Sequence, residues 1–179
     1  WDYWCITGDK FLFSATIANV DYLALGGMCF LEYASGRFIE RGSVKPFPCR
    51  QRMTDIVEAT EAFHSWRTHF TFEESGDRMN MSVRTTGLTG KPFLADIQIR
   101  RPVQKESLNV VIPWNATTFQ FTSKQQCRPA EGRLVWGEEE FVFEPGTTFA
   151  CLDYGRGIWP YRTAWNWASF SGYCGADEV

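Results

Sequence analysis

Long hydrophobic runs are missing from this sequence. No stretch of eighteen or more apolar residues occurs in its 179 residues, which excludes a membrane-spanning helix. Histidine is scarce: only His64 and His69 occur. Five apart on one strand, they face opposite sides and cannot share a metal ion in that setting; if His64 belongs to a helix-like segment instead, the geometry is open. The six cysteines, Cys5, Cys29, Cys49, Cys127, Cys151 and Cys174, contain no C-x-x-C pair and none at ligand spacing from a histidine. No structural zinc or other metal is therefore expected. Lys and Arg form no stripe and the net charge is −3, which argues against nucleic acid as a partner. Phosphate loops of the G-x-G-x-x-G or G-x-x-x-x-G-K kind are absent, so no nucleotide cofactor is expected. No serine sits in a G-x-S-x-G elbow. The opening WDYWCITGDK has neither signal-peptide nor transit-peptide layout. With cysteines too sparse for a disulfide scaffold, the expectation is reduced thiols in an intracellular compartment.

What is present is an ordinary globular balance with an unusual aromatic load. Hydrophobic residues make up 44%, charged residues 22% and aromatics 16%. Each buried aromatic removes about 150–250 Å² from water, so a large core or a lined cavity is available at this length. The apolar spacing is period two almost throughout. In KFLFSATI, Phe11, Phe13, Ala15 and Ile17 fall on one side and Leu12, Ser14 and Thr16 on the other. Turn signals recur at short intervals: TGDK at 7–10, ASGR at 34–37, SGDR at 75–78, GLTGKP at 87–92 and Gly137-Glu138-Glu139. Gly26-Gly27 suggests a bulge or bend, and KPFPCRQR (45–52) a loop. TDIVEATEAF (54–63) is the one stretch resembling a helix. LNVVIPW (108–114) and TFQFTSK (118–124) form a strand pair, and TSKQQ (122–126) reads as a strand end. About ten strands with no βαβ spacing predict an antiparallel all-β fold, a barrel or a strongly curved sandwich. Asn115-Ala116-Thr117 matches a glycosylation sequon, a triplet common by chance.

Chemistry-bearing residues concentrate in LDYGRGIWPYRTAWNW (152–167), with two tyrosines, three tryptophans, two arginines and an aspartate. The glycines around Arg156 predict a tight turn, a bulge or a close backbone approach. The functional reading gives Asp153 and Tyr161 proton transfer. It makes Arg156 and Arg162 electrophilic or carboxylate-binding groups and Asn166 a hydrogen-bonding selector. Trp159, Trp165 and Trp167 supply planar surface, and Lys124 reaches a ligand from a barrel rim. The structural alternative stays open: an Asp153–Arg156 pair locking a strand-to-strand corner beneath aromatic packing. Trp165, Trp167 and Ser169 share one face if that segment is a regular strand.

From Leu108 onward, LNVVIPWNATTFQFTSKQQCRPAEGRLVWGEEEFVFEP and then FACLDYGRGIWPYRTAWNWASFSG resemble the family catalogued as domain of unknown function 2804. WDYWCIT and GRFIE resemble its earlier segments. The resemblance implies a lipocalin-like β-barrel, distantly similar to hydratases and cyclases of prenyl and polyketide substrates. It also implies that residues 1–179 form one β domain of a longer two-barrel protein. The resulting expectation is a barrel that binds a hydrophobic small molecule. Two alternatives accompany it: a cofactor-independent hydratase, cyclase or isomerase, and an accessory subunit with protein partners in a larger assembly.

Overall fold

Alternation of apolar and polar residues becomes strand wherever turn residues bound it. The computed structural model describes residues 1–47, 53–86, 90–102 and 106–171, with the backbone of two short strands beyond them. In chain order the strands are β1 (Asp2–Thr7), β2 (Phe11–Asn19), β3 (Leu23–Glu32), β4 (Phe38–Pro46), β5 (Glu61–His64), β6 (Thr68–Ser75) and β7 (Arg78–Thr86). They continue with β8 (Pro92–Arg100), β9 (Leu108–Pro113), β10 (Phe119–Trp136), β11 (Glu139–Phe143), β12 (Phe149–Ile158), β13 (Tyr173–Cys174) and β14 (Asp177–Glu178). No helix occurs among the described residues, and none is long and apolar enough to cross a membrane.

Ten strands form one antiparallel path, β4-β3-β2-β1-β12-β10-β8-β7-β6-β5, with β9 and β11 also paired to β10. The sheet curls into a half-barrel until β5 lies against β2 and β3. Side chains help to close this seam: Ser43 Oγ donates to Ser65 Oγ at 3.1 Å. Gly26 is required there, since a Cβ would overlap the Phe63 ring. Gly26-Gly27 therefore makes no bulge; β3 keeps unbroken register with both neighbours.

The period-two expectation for β2 holds: Phe13, Ala15 and Ile17 are buried. Facing rows from the other strands add Phe30, Phe63, Phe70, Phe72, Phe93, Leu134 and Phe143, all essentially inaccessible. These rings form the core, and a void of about 10 Å³ lies beside Met53, Glu61 and Phe63. Most of the phenylalanine load goes into this core.

The helix-like segment becomes a plug. Residues 53–60 form turns and bends, and β5 begins at Glu61. Glu58 adopts φ 59°, a left-handed conformation that no continuous helix contains. Polar bonds fix the plug to the barrel end: Tyr154 Oη donates to Thr54 O at 3.0 Å, and Thr54 N donates to Glu61 Oε1 at 2.7 Å.

Residues 118–136 also differ from expectation. TSKQQ does not end a strand, because β10 runs for 18 residues. Its first half pairs with β9 and β12, its second with β8 and β11. Between the halves the register shifts at Gln125/Arg128, and Cys127 takes φ 49°. This β-bulge bends the strand and lets it serve two parts of the sheet. The two ends of the 45–52 loop differ: Lys45 and Pro46 belong to β4, and 48–52 lie outside the described residues, as does Cys49.

Candidate functional site

The outward face of β9, β10, β12 and β1 carries the site. Alternation places Lys124 outward on β10, directly opposite Asp153 on β12, whose other neighbour is Tyr3 on β1. Lys124 Nζ and Asp153 Oδ1 form an ion pair, and both side chains are largely covered. Trp1 Nε1 also donates to Asp153 Oδ1, at 3.3 Å. Asp153 does not pair with Arg156. Three apart on a regular strand, the two point to opposite faces, and Arg156 instead meets Asp55 of the plug at 3.5 Å. The expected corner lock is therefore replaced by a cross-strand pair.

The glycines flanking Arg156 form no turn. β12 continues as strand through Ile158, and neither glycine has positive φ. Close approach is their role. A Cβ at Gly155 would overlap the Trp1 ring, and one at Gly157 would overlap the carbonyl oxygen of Phe119.

After Ile158 the chain leaves the sheet. Residues 159–171 form no strand, so the face-sharing expected of Trp165, Trp167 and Ser169 does not arise from pleating. The segment is a strap across the outer face. Trp159 stacks on Trp1 at 5.3 Å and its Nε1 donates to Gln120 Oε1 at 3.2 Å. Trp167 meets Tyr3 edge-on at 6.3 Å and lies 5.4 Å from Lys124 Nζ, within cation–π range. Ser169 Oγ donates to Gln126 Oε1 at 2.8 Å.

Sheet and strap enclose an open cleft of about 1350 Å³. Asp153, Lys124, Arg162, Trp165, Asn166 and Trp167 all border it, together with Trp1 and Trp114. Arg156 and Trp159 border a second, adjoining groove of about 560 Å³, which Trp165 shares. Tyr161 is fully exposed and borders neither. A shallower hollow over β7, β8 and β11 contains none of these residues.

Sequence reasoning missed the charges beneath the plug. Arg128 is 1% exposed, turned inward by the bulge, and its Nη2 meets Glu58 Oε1 at 3.2 Å and also Gln125. Arg101 joins Glu58 at 3.1 Å and Glu74 at 2.6 Å. Two cations and two anions thus meet in pairs 27 to 70 residues apart, a pairing without a local signal. Asp2, opposite Tyr154, is buried with Oδ1 lacking a partner among the described residues. Burial, then the nearby Glu61 carboxylate, push its carboxyl up to about 7. Glu61 is itself raised by burial.

The histidines need correction. They lie on adjacent strands in direct register, His64 opposite His69, with Nδ1 atoms 3.1 Å apart. The spacing hides a hairpin between them. No cluster of three potential ligands occurs among the described residues.

The family model described as "Domain of unknown function (DUF2804)" matches residues 1–179. Among curated proteins none matches the chain. Kievitone hydratase from Nectria haematococca has a similar structure, with TM-score 0.50 and 10% identity over 87% of this chain and 47% of that one. A Nitrosomonas europaea protein described as a "putative AttH" gives TM-score 0.51 and 12% identity over 86% of this chain and 50% of that one. At such identities the likeness establishes the lipocalin-like fold. The chain spans about half the length of the solved structures it matches.

Proposed function

From the premise that the chain belongs to the DUF2804 family, we propose that it binds a hydrophobic small molecule in the outer cleft. The observation carrying this reading is the cleft itself: about 1350 Å³, walled by Trp1, Trp114, Trp165 and Trp167, with the Lys124–Asp153 pair in its floor. Ligand sites combine apolar walls with a few convergent polar groups. The tryptophans would cover rings or chains of a lipid, terpenoid or polyketide-like molecule. Arg162 and Lys124 would meet its carboxylate or carbonyl, and Asn166 would select among hydroxyls. Arg156 and Trp159 would extend the contact into the adjoining groove.

A second reading uses the same floor for chemistry. Asp153, oriented by Lys124 and Trp1 Nε1, would move a proton in a cofactor-independent hydration, cyclisation or isomerisation. The similarity to kievitone hydratase favours it at the level of fold alone. A third reading makes the face a packing surface for a further β domain of the same polypeptide or for a partner. Exposed Leu108, Ile112, Trp165 and Phe170 favour it, because apolar clusters of this kind call for a cover.

Tryptophan fluorescence titrated with a panel of lipids, terpenoids and polyphenols, with extraction and mass spectrometry of the purified protein, tests the binding reading. Saturable quenching is expected. Replacing both Trp165 and Trp167 by Ala should weaken affinity about tenfold or more without moving the thermal midpoint, since both rings are exposed. Absence of any saturable response, with nothing extracted, overturns it. Asp153→Asn separates the second reading: turnover lost with binding kept supports catalysis, whereas unchanged conversion removes it.

A further inference from the structure

A second feature of the outer face is a row of sulfur and oxygen across four strands. Cys29 on β3 pairs with Ser14 on β2, Ser14 with Cys5 on β1, and Cys5 with Cys151 on β12. Register neighbours in an antiparallel pair have Cα atoms about 4.5 or 5.5 Å apart. A disulfide accepts about 4.4–6.8 Å, so either kind of pair position suits Cys5 and Cys151. Cys29 is two strands from Cys5, about 10 Å, and cannot reach it without backbone movement. All three are free thiols in this structure.

We propose that Cys5 and Cys151 form a reactive dithiol, a modification site that takes low-molecular-weight disulfides as its reagent and closes to a cross-strand disulfide. Cys151 is the attacking sulfur, being the member of the pair next to the cleft: Cys127, in the bulge opposite it, borders that cleft. Its thiol lies below the ordinary range, at about 7, first because the neighbouring Cys5 thiol donates to it, against burial that pushes it up. Cys5 is held up, first by that donation and then by burial, so it retains its proton until the second step. Thiolates are the nucleophiles of thiol–disulfide exchange. With oxidised glutathione, the Cys151 thiolate attacks one sulfur, the glutathione S–S bond breaks, and one glutathione thiolate leaves. Cys5 then loses its proton to that thiolate or to water and attacks Cys151 in the mixed disulfide. The second glutathione departs as thiolate and is protonated. Two protein thiols are oxidised and one disulfide is reduced to two thiols.

Access is set by the strap. Cys5 and Cys151 are 9% and 7% exposed, and the covering hydroxyl belongs to Ser169, anchored by its bond to Gln126. Cys127 sits in the bulge opposite Cys151 and borders the cleft. It is the competing partner, which the experiment must distinguish.

The chain is incubated with graded ratios of reduced to oxidised glutathione, quenched by alkylation and digested without reduction. The expected result is a peptide pair joined through Cys5 and Cys151, with a thermal midpoint about 10 °C higher from closing so long a loop. Cys5→Ser should instead accumulate glutathione on Cys151, because the resolving thiol is gone. Cys151→Ser should leave Cys5 unmodified. Full alkylation of both cysteines under every ratio overturns the proposal, as does a Cys127–Cys151 linkage. The wild-type measurement stands even if a variant fails to fold.

Discussion

Asp2 shows how a single side chain acquires a property its neighbours in sequence do not announce. It is an aspartate between two aromatics, yet pleating turns it inward beside Glu61. Its carboxyl rises from 3.8 to about 7 through burial first and Glu61 second. Below about pH 4 both folded and unfolded chains hold this proton, and nothing is lost. From there to about pH 7 the unfolded chain releases it while the folded chain keeps it, so stability falls as pH rises. The shift corresponds to something on the order of 4 kcal/mol at most. Urea unfolding at pH 5 and pH 8 should show a lower midpoint at pH 8. Asp2→Asn should flatten that difference, and an unchanged slope with pH would show that Asp2 does not set it. The candidate site residues divide at this scale too. Lys124, Asp153, Arg162, Trp165, Asn166 and Trp167 meet at one cleft, whereas Arg156 and Trp159 meet at its neighbour. Residue types marked the region; the parity of strand positions separated Asp153 from Arg156.

Among the elements, the plug and the bulge of β10 depend on each other. The bulge aims Arg128 into the barrel end, and Glu58 of the plug meets it there. Glu58→Ala leaves Arg128 and Arg101 facing each other with less compensation. Breaking a buried pair from one side costs about 3–5 kcal/mol. A drop of that size in unfolding free energy by urea titration is the expected outcome, and a change under 1 kcal/mol would show the plug to be dispensable. Neither element was legible in the sequence. Thr54 to Phe63 carries weak helical spacing, but tertiary bonds from Tyr154 and Arg128 hold it in turns. The polar run Thr122–Gln126 looked like an end because Thr122, Lys124 and Gln126 border an open cleft while the alternate Ser123 and Gln125 are polar residues that the fold buries.

For the whole molecule, the decisive fact is that large rings line the inner face of the curled sheet. Phe13, Phe30, Phe63, Phe70, Phe72 and Phe93 fill the inner face, so the open cleft and the core occupy opposite faces of the same sheet. Phe63→Ala is then expected to cost about 3–5 kcal/mol by opening a void, while cleft affinity stays within about twofold. Calorimetry of unfolding and fluorescence titration check the two halves. Loss of binding at unchanged stability would place the ligand inside.

The strands, most hairpins and the all-β class were written in the sequence, because a period of two and short-range turn chemistry are local and need no partner to be read. So was the concentration of aromatic and charged residues between 152 and 167. Which face each of those residues would occupy was decided only by tertiary structure. A sheet has two sides, and the choice between them depends on register, on one bulge in β10 and on which rows are large enough to fill a closed interior. The pairings of Lys124 with Asp153, of Arg128 with Glu58 and of Cys5 with Cys151 join residues 29 to 146 positions apart. Only the curling of the whole sheet brings such distances to contact.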